Sequence, residues 1–267
     1  MLENYSSRYF LKNGSQIFIP TQESRLKGEK LVRRIRSRWP SPSYYYHLMS
    51  GGHIKALSIH LGSEYFIKTD IYKFFDHVSR TKIHRALKSL EFFTQTVFKW
   101  EAESTVEKRG GEHKYSLPFG FPQSPILASL VLYYSALGRY LDKLTEEQIK
   151  VLLFMDDIIL STERSVEKLC DAFQDLEFSA QRAGFKLNLD KTFGPSTVVT
   201  AFNIELSHKK MKITDERLAR FREQFRIAEN AERSGIEGYI RSVNVDQAKY
   251  FSDDGVDTWP IVTSGTG

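Results

Sequence analysis

Two short apolar runs flank a pair of adjacent carboxylates, Asp156-Asp157, in the second half of the chain. The segment Val151–Phe154 precedes them and Ile158–Leu160 follows. Because both runs are short and partly β-branched, they favour strands over a helix and predict a hairpin with the aspartates at its tip. Asp is a common turn residue, but tight hairpins favour Asn-Gly or Asp-Gly, whose central residues accept positive φ. Two like charges make a poor turn unless a cation binds there, so this stretch alone leaves a turn and a metal site open.

Composition limits the class of protein. The length of 267 residues predicts one large domain or two closely packed ones. The formal charge of +5 permits a polyanionic partner without proving one. Cys170 is the single cysteine, so no intrachain disulfide can form, and the N-terminus has no signal-peptide pattern. The most apolar run, Ile126–Leu137, is too short to span a bilayer. We therefore expect a soluble, cytoplasmic protein without membrane association.

Positive charge is concentrated near the N-terminus, in a window that includes Arg33, Arg34 and Arg36. Few acids are interleaved, which favours a phosphate-binding surface over a merely solvated helix face. The run Tyr44–His47 follows, and its rings would either stack on bases or pack at the edge of a core.

The segment Tyr65–Thr69 is typical of a strand that ends at Asp70, which on its own is either a presented acid or a turn residue. Ser79 is placed to cap a helix with Ile83, Leu87 and Leu90 on its apolar face. Residues 101–116 predict an exposed loop or a short hairpin.

A second segment of interest combines turn residues with a helix start. Gly120–Pro125 reads Gly-Phe-Pro-Gln-Ser-Pro, and Ser124-Pro125 suits an N-cap followed by a first helical residue. The helix that follows, from Ile126 to about Leu141, is apolar nearly all round, which predicts burial.

The C-terminal half alternates helical and extended patterns. We predict a helix from Ser165 to about Ala183 that ends at Gly184, and an extended segment over Phe185–Thr192. A strand pair is expected at Thr197–Glu205 and Lys210–Ile213. Three further features complete the prediction: a helix that starts at Thr214 and ends at Ser234-Gly235, a short helical piece near Val245–Phe251, and a mobile tail.

Four of these segments, taken in order, resemble the palm of reverse transcriptases. They are Lys68–Asp76, Gly120–Pro125, the Phe154-Met155-Asp156-Asp157 hairpin and Gly184–Lys191. Each is weak alone, but four in the right order make the resemblance specific, and it covers roughly residues 44 to 206.

The resemblance implies an α+β right-hand polymerase fold with fingers, a palm built on an antiparallel sheet packed by helices, and a small helical thumb. The fingers would occupy 1–62, with an inserted fingers segment at about 78–118. The palm would span 63–213, and 214–267 would form the thumb and the tail.

The resemblance also implies two-metal nucleotidyl transfer with Mg²⁺, for which Mn²⁺ could substitute. Asp70 and Asp156 would bridge both ions, with the carbonyl of Ile71 and the triphosphate completing one coordination shell. Asp157 would be a secondary ligand or an electrostatic support. Mg²⁺ prefers such hard oxygen ligands, and the cations would relieve the repulsion at the hairpin tip.

Other roles follow from the same resemblance. Phe75 would lie under the sugar and exclude a 2′-hydroxyl, which selects deoxynucleotides, although ordinary core packing is an alternative for this ring. Gln123 would line the nucleotide pocket, and Lys191 would lie near the leaving pyrophosphate unless it is a surface lysine. Asp76 would cap or brace the following helix. Arg33, Arg34 and Arg36 are the candidates for binding nucleic acid or the triphosphate.

The sequence departs from the usual family pattern in two respects. The usual basic finger hairpin that grips the triphosphate has no clear counterpart, so Arg33, Arg34 and Arg36 are the candidates for its role. In addition, Gln123 directly adjoins Ser124-Pro125. The shortened form looks most like bacterial defence-associated reverse transcriptases, which implies an antiphage role with a non-coding RNA or a protein partner. The leading hypothesis is an RNA-directed DNA polymerase that makes DNA from dNTPs on an RNA template, alone or as a homo-oligomer. The alternatives are template-independent or protein-primed DNA synthesis and a catalytically dead RNA-binding scaffold.

Overall fold

A four-stranded antiparallel sheet in the order β6-β7-β3-β8 organises the computed structural model, which describes residues 4–12, 14–108 and 112–251. The strands are β3 (Tyr65–Asp70), β6 (Lys150–Phe154), β7 (Asp157–Thr162) and β8 (Phe193–Ser196). The three predicted strands β3, β6 and β7 are rich in β-branched and aromatic residues, and their central side chains are buried. The α+β class predicted from the sequence is confirmed.

Helices pack against this sheet and against each other. They are α5 (Ser124–Tyr133), α6 (Ala136–Glu146) and α7 (Val166–Arg182). Helix α7 contacts β3 and β7, and α6 packs against both α7 and β6. The single helix predicted from Ile126 to Leu141 is wrong, because Ser135 caps a new helix by accepting a hydrogen bond from the N–H of Gly138. Helix α5 is buried along nearly its whole length, as its apolar sequence predicts.

The N-terminal region contains a hairpin that the sequence patterns did not indicate. Strand β1 (Tyr5–Phe10) pairs with β2 (Gln16–Pro20), and α1 (Gln22–Arg36) follows. The backbone N–H of Phe18 donates to the carbonyl of Phe119 over 2.9 Å, so the hairpin is fixed to the segment that precedes α5. A short 3₁₀ helix (Tyr46–Leu48) and α2 (Gly52–Ser58) lead to the sheet. Tyr44, Tyr45 and Tyr46 are all buried, which excludes them as base-stacking platforms in this arrangement.

The segment between β3 and α5 contains two helices and a small hairpin. They are α3 (Arg80–Lys88), α4 (Thr94–Ser104), β4 (Val106–Glu107) and β5 (Tyr115–Ser116). Ser79 caps α3, as predicted, by accepting from the N–H of Lys82. The predicted loop or hairpin over 101–116 is a helix end followed by the hairpin, and Gly110-Gly111 lie outside the described residues.

Two predictions for residues 185–213 are wrong. Residues 198–213 form three strands rather than two: β9 (Val198–Ala201), β10 (Ile204–Ser207) and β11 (Lys210–Ile213). A turn at Phe202-Asn203, both at positive φ, divides the first predicted strand. The predicted extended segment over Phe185–Thr192 is irregular and ends in a 3₁₀ turn at Leu189–Lys191.

Two main helices follow. Thr214 caps α8 (Asp215–Ile227), which buries Leu218, Phe221 and Phe225 as predicted. This helix ends well before Ser234-Gly235, and those residues lie inside α9 (Asn230–Val243). The predicted last piece is present as α10 (Val245–Ala248) and a 3₁₀ turn (Lys249–Phe251), and the predicted mobile tail lies outside the described residues. No helix in the described part of the chain is long and apolar enough to cross a membrane.

Candidate active site

Two of the three predicted carboxylates lie directly opposite each other in the sheet. Asp70 is the last residue of β3 and Asp157 is the first residue of β7, and the antiparallel register pairs the two. Cβ atoms of directly opposed residues are about 4.5–5.5 Å apart, and like charges in such pairs destabilise a sheet. Nothing local to either sequence segment reveals this pairing, because it depends on the register of β3 against β7.

The third carboxylate lies in the turn between β6 and β7. Phe154 pairs with Asp157, so Met155 and Asp156 form the two-residue loop. Met155 has φ of 61°, which supplies the positive φ that a tight hairpin needs although the residue is not glycine. The N–H of Ile71 donates to the carbonyl of Asp156 over 2.9 Å, which joins the turn to the end of β3. The predicted hairpin is present, with one correction: Asp156 lies in the loop and Asp157 begins the strand.

Asp70 is held from several sides and keeps one free carboxylate oxygen. Its Oδ2 accepts a hydrogen bond from Lys191 Nζ at 2.8 Å, and its backbone carbonyl accepts from the N–H of Asn188 at 2.9 Å. Among the described residues, its buried Oδ1 has no hydrogen-bond partner. Buried carboxylate oxygens are almost always satisfied in proteins, so an unpaired one indicates a ligand position.

The electrostatics of the cluster follow from burial and from charge repulsion. Burial, together with the nearby carboxylates of Asp156 and Asp70 and against the opposing effect of Lys68, raises the pKa of Asp157 to about 6. The pKa of Asp156 is raised by burial and by the charge of Asp70. The pKa of Lys191 is raised by its hydrogen bond to Asp70. These shifts describe a site that concentrates negative charge, which Lys191 and Lys68 balance only in part.

The donor set fits Mg²⁺, although the described side chains do not form a ready-made metal site. In residues 4–12, 14–108 and 112–251, no three His, Cys, Asp or Glu side chains are grouped closely enough to hold an ion by themselves. Mg²⁺ is usually bound through one or two carboxylates, and waters and substrate phosphates complete its shell. Asp70, with its unpaired Oδ1, and the neighbouring Asp157 and Asp156 provide oxygen ligands of that kind, and Ile71, the residue after Asp70, donates its backbone N–H to the carbonyl of Asp156.

Phe75 lies in an aromatic stack in the 3₁₀ turn Phe74–His77 that follows β3. Its ring is buried and stacks on Phe119, with centroids 4.7 Å apart and planes at 29°. Lys108, the residue after β4, has its Nζ 5.9 Å from the centre of the Phe119 ring and forms an ion pair with Asp76. Asp76 was predicted to cap or brace the following helix, but it pairs with the hairpin lysine, and Ser79 provides the cap.

The side chain of Gln123 is buried beneath α1 instead of facing an open cleft. It is 1% exposed, and its Nε2 donates to Ser104 Oγ at 3.3 Å. A Cβ atom added at Gly28 of α1 would lie 2.0 Å from Gln123 Oε1, so the helix approaches this closely only because residue 28 is glycine. Gln123 therefore packs α1 against the start of α5.

The basic residues predicted to contact nucleic acid lie on the last turn of α1. Arg33, Arg34 and Arg36 are all exposed, and the guanidinium of Arg34 lies 5.3 Å from the Trp100 ring centre. Arg36 also lines a cavity of about 320 Å³. The other residues that line it are Trp39, Pro40, Ser41, Leu48 and Ile126. Within the described contacts, none of the three arginines touches the carboxylate cluster.

Sequence reasoning missed His47, which contacts the turn formed by Met155 and Asp156. The N–H of Met155 donates to His47 Nδ1 at 3.0 Å, and burial lowers the pKa of this histidine to about 4, so the ring is neutral near pH 7. The run of three tyrosines before it drew attention to the segment, but no local signal links residue 47 to residue 155.

Comparisons with known proteins agree with this arrangement. The family model described as reverse transcriptase (RNA-dependent DNA polymerase) matches residues 16–221, which is more than half of the chain. This chain therefore belongs to the reverse transcriptase family, whose members are nucleotidyltransferases. No curated protein matches it.

Solved structures share its fold. Telomerase from Candida albicans, in complex with a fragment of telomeric RNA, is similar with a TM-score of 0.50 and 16% identity over 85% of this chain and 44% of that one. Telomerase from Candida tropicalis gives a TM-score of 0.50 and 14% identity over 89% of this chain and 49% of that one. A foamy viral protease-reverse transcriptase in complex with double-stranded DNA gives a TM-score of 0.45 and 16% identity over 86% of this chain and 34% of that one. The chain thus spans less than half the length of each of these proteins.

Proposed function

We propose that this protein is an RNA-directed DNA polymerase that makes DNA from dNTPs by two-metal nucleotidyl transfer. The observation that carries the proposal is the carboxylate cluster: Asp70 and Asp157 are paired across the sheet, Asp156 lies in the adjoining turn, and one oxygen of Asp70 is buried without a partner. Such a cluster destabilises the protein unless a cation binds there.

The chain's own residues would divide the work as follows. When bound, two Mg²⁺ ions would activate the attacking 3′-hydroxyl and balance the charge of the leaving pyrophosphate. Asp70 and Asp156 would hold both ions, the Ile71 carbonyl would contribute to one of them, and Asp157 would add negative charge beside them. Lys191 would contact the pyrophosphate, since its exposed ammonium group already lies at the edge of the cluster.

Sugar selection would depend on the aromatic stack. Phe75 would exclude a 2′-hydroxyl, and Phe119, which covers its ring, would keep it from rotating away. Phe119 is itself 36% exposed, so this stack reaches the protein surface, where an incoming nucleotide could contact it.

The remaining assignments extend the family's architecture to this chain. We assign 1–62 and about 78–118 to the fingers, 63–213 to the palm and the helices after 214 to the thumb. Exposed Arg33, Arg34 and Arg36 would bind an RNA template or a non-coding RNA, and Gln123 would hold the fingers helix α1 near the nucleotide. We place the enzyme in antiphage defence on the basis of the shortened motif that ends in Gln123-Ser124-Pro125. We place it in the cytoplasm because its single cysteine, Cys170, suits a reducing compartment.

A second candidate is DNA synthesis without an external template, or with a protein primer. It is favoured by one feature: α5 begins directly after Gln123, which is covered by α1, so no loop is present there to contact a template. Tyr9, Tyr72 and Tyr134 are exposed and would be candidates for a priming hydroxyl.

The decisive experiment incubates purified protein with Mg²⁺ and labelled dNTPs, with and without an RNA template. Asp156→Asn serves as the inactive variant, and Asp171→Asn, which changes an exposed carboxylate on α7, serves as the matched control. Template-dependent DNA from the wild type and the control, but not from Asp156→Asn, would support the proposal. DNA made without template, or DNA that shifts on protease treatment, would favour the second candidate. Product from Asp156→Asn at the wild-type rate would contradict both.

The biological role has its own test in cells that carry the gene. Phage protection should be lost in Asp156→Asn and kept in Asp171→Asn, at equal protein levels. Full protection by Asp156→Asn would mean that the chain acts as an RNA-binding scaffold and not as an enzyme.

A further inference from the structure

The segment Tyr44–His47 contacts β6 and places His47 against the turn formed by Met155 and Asp156. The N–H of Leu153 donates to the carbonyl of Tyr44 at 2.9 Å, and Tyr45 pairs with Leu153 in the parallel direction. Beyond this single bridge the chain enters the 3₁₀ helix Tyr46–Leu48, and the side chain of His47 reaches the backbone of Met155, two residues after Leu153.

Both ring nitrogens of His47 have partners, and the partners fix which nitrogen carries the hydrogen. A backbone N–H can only donate, so Nδ1, which lies 3.0 Å from the N–H of Met155, is the acceptor. The ring hydrogen is therefore on Nε2, which donates to Ser129 Oγ at 2.7 Å. Ser129 in turn donates its hydroxyl hydrogen to the carbonyl of Pro125 at 3.0 Å. The hydrogen bonds form one chain from the turn through the ring to the start of α5.

The turn needs such a support. Met155 has a side chain and yet adopts φ of 61°, a left-handed conformation that is unfavourable for such a residue unless the surroundings hold it. Its neighbour Asp156 belongs to the two-residue loop, so any rotation of the Met155 peptide changes the direction of the Asp156 carboxylate. The His47 ring also packs edge-on against Phe154, with centroids 5.9 Å apart, which restricts the ring itself.

We propose that His47 is a positioning residue that fixes the Met155 peptide, and through it the Asp156 carboxylate, relative to α5. This proposal rests on the proposed function, in that it assigns Asp156 to metal binding. Outer partners that orient metal ligands typically contribute 10- to 100-fold to metal affinity or activity, so we expect a loss of about that size when the acceptor at Nδ1 is removed.

Two isosteric substitutions separate this role from ordinary core packing. In His47→Asn the side-chain oxygen can take the place of Nδ1 and accept from Met155, but nothing reaches Ser129. In His47→Gln the side-chain amide can take the place of Nε2 and donate to Ser129, but the acceptor for Met155 is lost. If His47 had only a structural role, both variants should lose Mn²⁺ affinity to a similar extent, because each lacks one hydrogen bond of the same chain of hydrogen bonds.

The first measurement is the affinity of the full-length protein for Mn²⁺ without substrate, with the free ion monitored by electron paramagnetic resonance. We expect His47→Asn to bind within about threefold of wild type, and His47→Gln to bind about 10- to 100-fold more weakly, at similar melting temperatures. In the polymerase assay His47→Gln should lower kcat and leave the KM for dNTP unchanged. Equal binding by all three proteins, or equal losses in Asn and Gln, would overturn the proposal.

The second measurement does not depend on metal or on activity. The ¹⁵N NMR spectrum of the wild-type histidine rings, with His47→Asn used to assign the signal, should show Nε2 protonated and Nδ1 unprotonated at neutral pH. The opposite tautomer would refute the hydrogen-bond chain. If the wild type makes no DNA but binds Mn²⁺ as described, the proposed polymerase function is wrong and the role of His47 stands.

Discussion

Replacing Asp157 by Asn should stabilise the metal-free protein at neutral pH while removing part of its capacity to bind Mg²⁺. Asp157 lies directly opposite Asp70 and next to Asp156, and burial with these two charges raises its pKa to about 6. An ionised Asp157 is therefore unfavourable in the folded state, and an uncharged amide of the same shape avoids that cost.

The size and the pH range of the effect follow from the two pKa values. The ordinary value is 3.8, so the shift corresponds to about 3 kcal/mol, which we reduce to about 1–2 kcal/mol because the side chain is only partly buried. Between the two values the folded state holds a proton that the unfolded state has lost. The contribution of this group to stability is thus greatest below about pH 4 and falls as the pH rises through about 6.

Urea denaturation in EDTA at pH 5 and pH 7.5 would measure this effect. We expect Asp157→Asn to exceed the wild type in free energy of unfolding by about 1–2 kcal/mol at pH 7.5, and by less at pH 5. Addition of Mg²⁺ should reduce this difference in free energy of unfolding between the variant and the wild type, because an ion that binds only the folded wild type stabilises it. Asp171→Asn, on the exposed side of α7, should stay within about 0.5 kcal/mol of the wild type throughout. A destabilised Asp157→Asn at pH 7.5, or a gap that does not change with pH, would refute the electrostatic argument.

Three further changes test the other assignments. Phe75→Val should raise the incorporation of ribonucleotides relative to deoxynucleotides by about 10-fold or more, and an unchanged ratio in single-nucleotide assays would remove the gate role. Lys191→Met should raise the KM for dNTP while changing the metal-free stability by no more than about 1 kcal/mol, since the ion pair with Asp70 is largely exposed on the lysine side. The double charge reversal Arg33→Glu with Arg36→Glu should weaken RNA binding and reduce the magnitude of the slope of log K against log salt concentration by roughly 1–2. An unchanged slope would mean that this face of α1 is an ordinary solvated surface.

The parts of the fold that the sequence predicted depend on local chemistry. Strands β3, β6 and β7 carry β-branched and aromatic residues, with an acid at the end of β3 and at the start of β7. Helices α3 and α8 have side-chain caps at Ser79 and Thr214. The family motifs then indicated which of the acids belong together. Where the cause of a structure lies within a few residues, the pattern was sufficient.

The errors have causes that a local pattern does not contain. Strand β1 of the N-terminal hairpin is mostly exposed and β2 buries only Phe18, so the hairpin lacks the alternation that marks a half-buried strand. Helix α9 continues through Ser234-Gly235 because its buried residues Ile236 and Ile240 pack against the rest of the protein. The break between α5 and α6 is an exception, since its cause is local: the hydroxyl of Ser135 caps a new helix.

The candidate site shows the same division between local and distant causes. Asp70, Asp156 and Asp157 were predicted from their motifs, but the pairing of Asp70 with Asp157 depends on strand register, and the contact of His47 with Met155 joins residues 108 positions apart. Only the assembled sheet brings these groups together.

The ion pair between Lys191 and Asp70 reconciles the stability of the metal-free protein with the proposed chemistry. The ammonium group lies on Oδ2 and leaves Oδ1 unpaired, so it neutralises part of the cluster while one oxygen stays available to a cation. An ion that binds Asp70 would compete with Lys191 for the same negative charge. It would therefore lower the pKa of Lys191, which Asp70 now raises. The released ammonium group would then be free to contact a phosphate that arrives with the ion. On this argument Lys191 would stabilise the metal-free protein and assist the metal-bound one, and both roles would depend on the same 2.8 Å contact.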